Sequence, residues 1–370
     1  MTYKETLFFI GKCLTINHEQ HNKILVETEL KSGNIDWNSV VKVSTGHFVF
    51  PALYCNLKRA EFLDYVPQDL VDYMIHITDL NRERNQQIID QAKELNELLL
   101  SHNITPIFLK GTGNLLEGLY EDIAERMVGD IDFIISKKNY PPAIKILANF
   151  GYKKVHKTDY DFPQFKHYPR LNKKNNIAAV EIHKELLTEK YANEFNFNLI
   201  EKDTQNINNT TLISFKNQLA LTIIAKQIND HGFLYIDIAL RNAYDVFLLS
   251  KKTDALVAFN NLTKLKKPLN CFLASCFVIF NKPNSLKFLE DKNTKSYIKL
   301  LNTFLNDDIL RKEHQKKISK KIIINHRLFM TYKSIVNKEH RIWFMNTMTD
   351  KKWLRKKMVE FGLKKPKPTS

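Results

Sequence analysis

Residues 104–136, ITPIFLKGTGNLLEGLYEDIAERMVGDIDFIIS, form the passage whose reading decides the fold. Residues 104–109 (ITPIFL) are an apolar run of strand length, closed by the turn Lys110-Gly111-Thr112-Gly113. Helical spacing resumes over 114–122, and residues 130–136 (DIDFIIS) alternate and are rich in isoleucine, as a strand is. Working outward, 141–150 reads as a helix and 152–155, after Gly151-Tyr152, as a short strand. Residues 162–171 and 176–183 (NIAAVEIH) read as two further strands. The flanks are helical. Apolar positions recur every three or four residues in 6–14 and 67–100 upstream, and in 219–229, 236–249 and 269–280 downstream. The expected fold is therefore α+β. A small mixed-sheet core, 104–185, is inserted between a helical region at 1–103 and further helical regions at 186–310 and 311–370.

The chain has only ten glycines, and four of them (Gly111, Gly113, Gly118, Gly129) fall between residues 111 and 129. Glycine concentrated beside a strand end marks close backbone approach, and a turn feeding a helix N-terminus offers N–H groups to a phosphate. Lys110 adds charge at that turn, although many strand–glycine–helix turns are only structural. Asp130 and Asp132 lie two apart on a strand and so project from one face, with Ile131 and Phe133 on the other. Like charges about 6–7 Å apart repel unless a cation lies between them. Magnesium, held by carboxylates together with substrate phosphates, suits such a pair. Glu181 stands in the otherwise apolar strand IAAVEI, where an isolated charge is costly, and its alternation puts it on one face with His183. If the two strands are neighbours, Asp130, Asp132 and Glu181 converge. Three carboxylates beside a glycine turn describe two-metal phosphoryl transfer.

Leu109-Lys110-Gly111, Arg126, Gly129 to Ile135 (GDIDFII), Gly151-Tyr152 and Val180-Glu181-Ile182-His183, in that order, resemble the bacterial "uncharacterised nucleotidyltransferase" family. That family lies within the polymerase-beta-type nucleotidyltransferase superfamily. The likeness covers about residues 105–185 and weakens towards residue 250; Thr112 departs from the small residue usual after the glycine. The resemblance implies a transferase that moves a nucleoside monophosphate from a nucleoside triphosphate (ATP among them) to an acceptor hydroxyl, releasing pyrophosphate. The acceptor would be a small molecule, a protein or an RNA end. Asp130, Asp132 and Glu181 would hold two Mg²⁺ ions, and the Gly111-Thr112-Gly113 backbone would cradle the phosphates. Lys110 and Arg126 would neutralise the leaving pyrophosphate. The helices of 186–310 would close over the nucleotide, with Lys226 and His231 as contacts. Asp245 would cap or pair with Arg241.

Composition bounds these expectations. With 44% hydrophobic and 26% charged residues, the 370-residue chain is neither disordered nor fibrous, and no apolar run is long enough to span a membrane. The run at 7–10 is too short for a signal peptide, so a cytoplasmic protein is expected. Cys13, Cys55, Cys271 and Cys276 match no zinc spacing and read as buried thiols. Of the net charge of +16, residues 311–370 carry +14. Their lysines alternate with Tyr332, Trp343, Phe344 and Trp353 and end in a lysine- and proline-rich terminus at 364–370, expected to be disordered. RNA, an anionic membrane surface and a merely solvated helical cap all fit this tail. The competing function is a non-catalytic nucleic-acid-binding protein that uses the same scaffold with the tail.

Overall fold

The strand expected at 130–136 forms at the centre of a seven-stranded sheet in the computed structural model, which describes residues 1–155, 163 and 165–360. Helices α1 (Tyr3–Cys13), α2 (Gln20–Lys31), α3 (Trp37–Gly46), α4 (Phe50–Arg59) and the long α5 (Gln68–Leu100) precede the sheet. Next come β1 (Ile107–Phe108), α6 (Lys110–Glu117), β2 (Asp130–Ile134), α7 (Tyr140–Asn149), β3 (Lys153–Lys154), β4 (Leu171–Asn172) and β5 (Ala179–His183). The chain continues through α8 (Phe197–Glu201), β6 (Thr204–Ile207), β7 (Thr210–Ile213), α9 (Phe215–Ile224), α10 (Gly232–Tyr235) and α11 (Leu240–Ser250). It ends with α12 (Lys266–Ile279), α13 (Lys292–Asn306), α14 (Asp308–Val336), α15 (Lys338–Thr349) and α16 (Lys351–Glu360).

Strand order is β3-β4-β5-β2-β1-β7-β6. β2 runs parallel to β5 and antiparallel to β1, and β1 runs parallel to β7, so the sheet is mixed as expected. Local chemistry explains the departures. Helix α6 starts four residues before the helix read at 114–122, and Gly118, at φ 72°, stops it. The expected strand at 162–171 is realised only at its end, in β4, with an isolated bridge between His167 and His183; residues 162 and 164 lie outside the described residues. The helix read at 219–229 starts earlier and widens into a π turn at Ala225–Asn229. The one read at 236–249 begins at Leu240, because Ile236 sits at φ 52°. Helices dominate after residue 184, yet the sheet regains two strands there. Asn208 and Asn209, at φ 49° and 61°, make the two-residue turn of the β6–β7 hairpin.

Helix α5 is the spine behind the sheet. Met74, Ile88, Ala92, Leu95 and Leu99 are buried as their spacing implies, whereas Tyr73 and Leu80 face solvent. Between the apolar positions, buried amides hold the loops. Asn81 and Asn85 donate to the Arg126 carbonyl, Gln91 brackets Ala178 N–H and C=O, and Asn96 donates to the Asn209 carbonyl. Each supplies a partner to backbone that would otherwise be buried without one. The helical regions meet each other as well: a Cβ on Gly11 of α1 would lie 2.5 Å from the Ile279 carbonyl of α12. All four cysteines are buried free thiols. No helix among the described residues is long and apolar enough to cross a membrane. Residues 364–370 lie outside the described residues.

Glu117, at the end of α6, is half-buried, and burial pushes its carboxyl up to about 7 even though Gln205 donates to it. Between pH 4.5 and 7 the folded state keeps a proton that the unfolded chain has lost, so stability falls as pH rises through that window. The loss is roughly 2–3 kcal/mol and is complete above pH 7. Glu117→Gln removes this slope. Urea unfolding should find the variant more stable than wild type at pH 8 and nearly equal to it at pH 4.5.

Candidate metal and phosphate site

Parallel pairing of β2 with β5 sets Asp130 opposite Ala179, Asp132 opposite Glu181 and Ile134 opposite His183. The alternate residues Ile131, Phe133, Val180 and Ile182 are fully buried on the other face. Apolar burial on one side therefore fixes the register that brings the polar residues together on the other. Ligand atoms of Asp132, Glu181 and His183 all lie within 4.8 Å of one another, a group able to hold a metal ion. His183 Nε2 is 2.8 Å from Asp132 Oδ1 and 3.7 Å from Glu181 Oε2. Asp130 joins the group through Arg170, which reaches Asp130 Oδ2 at 2.8 Å and Glu181 Oε1 at 2.8 Å. Lys110 Nζ donates to Asp132 Oδ1 at 2.6 Å. Lys110 takes φ 53°, a left-handed conformation that costs a non-glycine residue about 1–2 kcal/mol.

Charges in the cluster push on one another. Burial, then the nearby Asp132 and Glu181, raise the Asp130 carboxyl to about 6. Burial also acts on Asp132, but Lys110 and His183 outweigh it and hold that carboxyl well below the usual range. Burial and the Lys110 charge lower the His183 pKa, against the Asp132 carboxylate beside it, which raises it. Despite burial, the carboxylates hold Lys110 ionised. The donor set fits a divalent cation: carboxylates are the hard ligands that Mg²⁺ prefers, and an imidazole beside them also admits Mn²⁺. Burial and then charge crowding raise Asp130, and a bound cation would offset both.

The other residues singled out in the sequence stand elsewhere. Gly111 and Gly113 are buried in the first turn of α6, where a Cβ would lie 3.0 Å from Val128 Cγ2 and 3.0 Å from Gln218 Nε2, respectively. Their lack of a side chain serves packing. The Thr112 hydroxyl donates to the Asp130 carbonyl at 2.8 Å, so it braces the acidic strand. Arg126 is buried, with Nε 2.9 Å from Asp245 Oδ2. Asp245 thus pairs with Arg126, where Arg241 was one expected partner. Lys226 pairs with Asp237 at 3.0 Å, and His231, left-handed at φ 57°, is exposed at the start of α10.

Two site cations, Arg170 and Lys166, escaped the sequence reading, and a third, Arg241, was read only as a partner for Asp245. Arg170 lies in the segment read as a continuous strand. The half-buried Lys166 accepts at its carbonyl from the Lys184 and Glu185 N–H groups, while its ammonium has no hydrogen bond or ion pair among the described residues; burial and Lys110 depress its pKa, while Asp230, Glu181 and Asp132 raise it. The Arg241 guanidinium lies 5.0 Å from the Phe48 ring centre and has no hydrogen bond or ion pair among the described residues. Burial and Arg126 depress its pKa, against Asp245 and Asp130.

A buried polar chain connects α11 to the turn. Asp245 accepts from Arg126 and from Tyr120 Oη at 2.7 Å, and Asn114 donates to Tyr120 Oη at 3.0 Å. Gln218 of α9 donates both to Asn114 Oδ1 and, at 2.8 Å, to the Lys110 carbonyl. Asp245→Asn strands the Arg126 charge in the interior and should cost about 3–5 kcal/mol in urea unfolding. Arg126→Met/Asp245→Leu, which removes both charges, should recover most of that loss.

A family model described as "Uncharacterised nucleotidyltransferase" matches residues 33–281, about two thirds of the chain. No curated protein and no solved structure gives a match.

Proposed function

The chain belongs to the uncharacterised nucleotidyltransferase family, and on that premise we propose that it transfers a nucleoside monophosphate from a nucleoside triphosphate to an acceptor hydroxyl. The observation that supports this most is the Asp132–Glu181 register, which gathers carboxylates from two strands on one face of the sheet. Asp130, Asp132 and Glu181 would hold the divalent cations, expected as two Mg²⁺ ions, and His183 would complete a ligand set. Bound there, the cations supply charge stabilisation at the triphosphate and lower the pKa of the acceptor hydroxyl.

This chain's own groups account for the rest. Lys110 and Arg170 neutralise the carboxylates in the free protein and turn to the triphosphate when it binds. Lys166 and Arg241, whose cationic groups have no carboxylate partner among the described residues, are suited to a polyanion that arrives beside the acidic cluster. The bond from the α-phosphorus to its bridging oxygen breaks as the acceptor oxygen bonds to that phosphorus, pyrophosphate leaves, and Glu181 takes the hydroxyl proton. With their Cβ positions filled by neighbours, Gly111 and Gly113 hold α6 against the sheet so that its first N–H groups stay fixed.

The test incubates the full chain with nucleoside triphosphates labelled at the α-phosphate, Mg²⁺ or Mn²⁺, and a cell extract. Label should pass to one class of acceptor (RNA, protein or small molecule), and Asp130→Ala/Asp132→Ala should reduce transfer by about a hundredfold or more. Unchanged transfer in the double variant would refute the metal assignment. Salt-dependent RNA retention with no transfer by wild type would favour the nucleic-acid-binding alternative.

A further inference from the structure

Helix α14 has one side tied to the body and, among the described residues, an exposed apolar stripe on the other. Arg311 lies 4.2 Å from the Tyr3 ring centre, Ser319 Oγ is 3.0 Å from Tyr235 Oη, and Lys333 Nζ is 2.6 Å from Glu189 Oε2. Met330 and Ser334 are buried on the same side. Opposite them, at helical spacings of four, four and three, stand Ile324, Leu328, Tyr332 and Ile335. All four are exposed, Leu328 at 66% and Ile335 at 68%. Ile342 and Met345 carry the exposed apolar surface on to α15. One and two turns before Ile324, the same stripe bears exposed Lys317 and Lys321, with Lys316 and Lys320 beside them. The face thus passes from basic to aliphatic along one helix.

We propose that the α14–α15 hairpin docks the protein on an anionic lipid surface, with its lysines at the phosphates and the Ile324–Ile335 stripe among the upper acyl chains. Charge selects this occupant. A second copy would bring lysines against lysines, since residues 311–370 carry eighteen Lys or Arg and only four Asp or Glu. RNA would answer the lysines but leave the aliphatic stripe in water, as Tyr332 is the only ring on it able to stack. A bilayer with acidic headgroups satisfies both ends of the face, and interfacial helices are built of these two parts. The inference is independent of the catalytic reading.

Co-sedimentation of the full chain with vesicles of phosphatidylcholine alone, or with phosphatidylglycerol added, tests it. Wild type should sediment with the anionic vesicles only. Leu328→Ser/Ile335→Ser and Lys317→Glu/Lys321→Glu, all at exposed positions, should each lower partitioning by about tenfold or more while leaving thermal unfolding unchanged. Absence of sedimentation, equal sedimentation with neutral vesicles, or full retention by the Leu328/Ile335 variant would overturn the proposal. So would a dimer in sedimentation velocity that the Leu328/Ile335 variant dissociates, which would assign the stripe to a second copy.

Discussion

Repulsion among three carboxylates, imposed by the parallel pairing of β2 and β5, is the constraint on which the site depends. Ile131, Phe133, Val180 and Ile182 are fully buried on the far face, so the pairing cannot slip by one residue without turning them towards solvent. With the register held, Asp132 and Glu181 stand side by side and Asp130 stands two residues away on the same face. Lys110 and Arg170 offset part of this charge; burial first, and then the neighbouring Asp132 and Glu181, raise the Asp130 carboxyl. The Asp132, Glu181 and His183 group on these strands could hold a metal ion.

Much of the helical mass serves this arrangement. The amides of α5 satisfy backbone groups at the Arg126 carbonyl and at Ala178, just before β5. The Arg126–Asp245 pair and the chain through Tyr120, Asn114 and Gln218 fasten α9 and α11 to the Lys110 turn. Charges buried this deeply are weak sources of stability but demanding in geometry. In this protein they hold the Lys110 carbonyl in place through Gln218.

The central strands were legible because their alternation is strong and their burial one-sided. Asp130, Asp132 and Glu181 could be placed together from spacing alone once the strands were taken as neighbours. The β6–β7 hairpin carried a readable signal, Asn208-Asn209 before a Thr-rich alternating run, that helical readings on both sides obscured. Arg126 and Asp245 were not legible: a buried pair separated by 119 residues looks, in sequence, like any surface arginine and helical aspartate. Arg170 and Lys166 were hidden, and Arg241 was read only as a partner for Asp245, for a similar reason: nothing local distinguishes a cation facing an acidic cluster from one facing water. The glycines marked the right turn, though their absent side chains make room for Val128 and Gln218.

The most direct measurement is Mn²⁺ binding to the purified chain, followed by electron paramagnetic resonance, for wild type and Glu181→Gln. A cation site shared by two strands predicts saturable binding by wild type, weakened by about tenfold or more when Glu181 loses its charge, with the fold unchanged by circular dichroism. Equal Mn²⁺ affinity in the two proteins, or none in wild type, would contradict it.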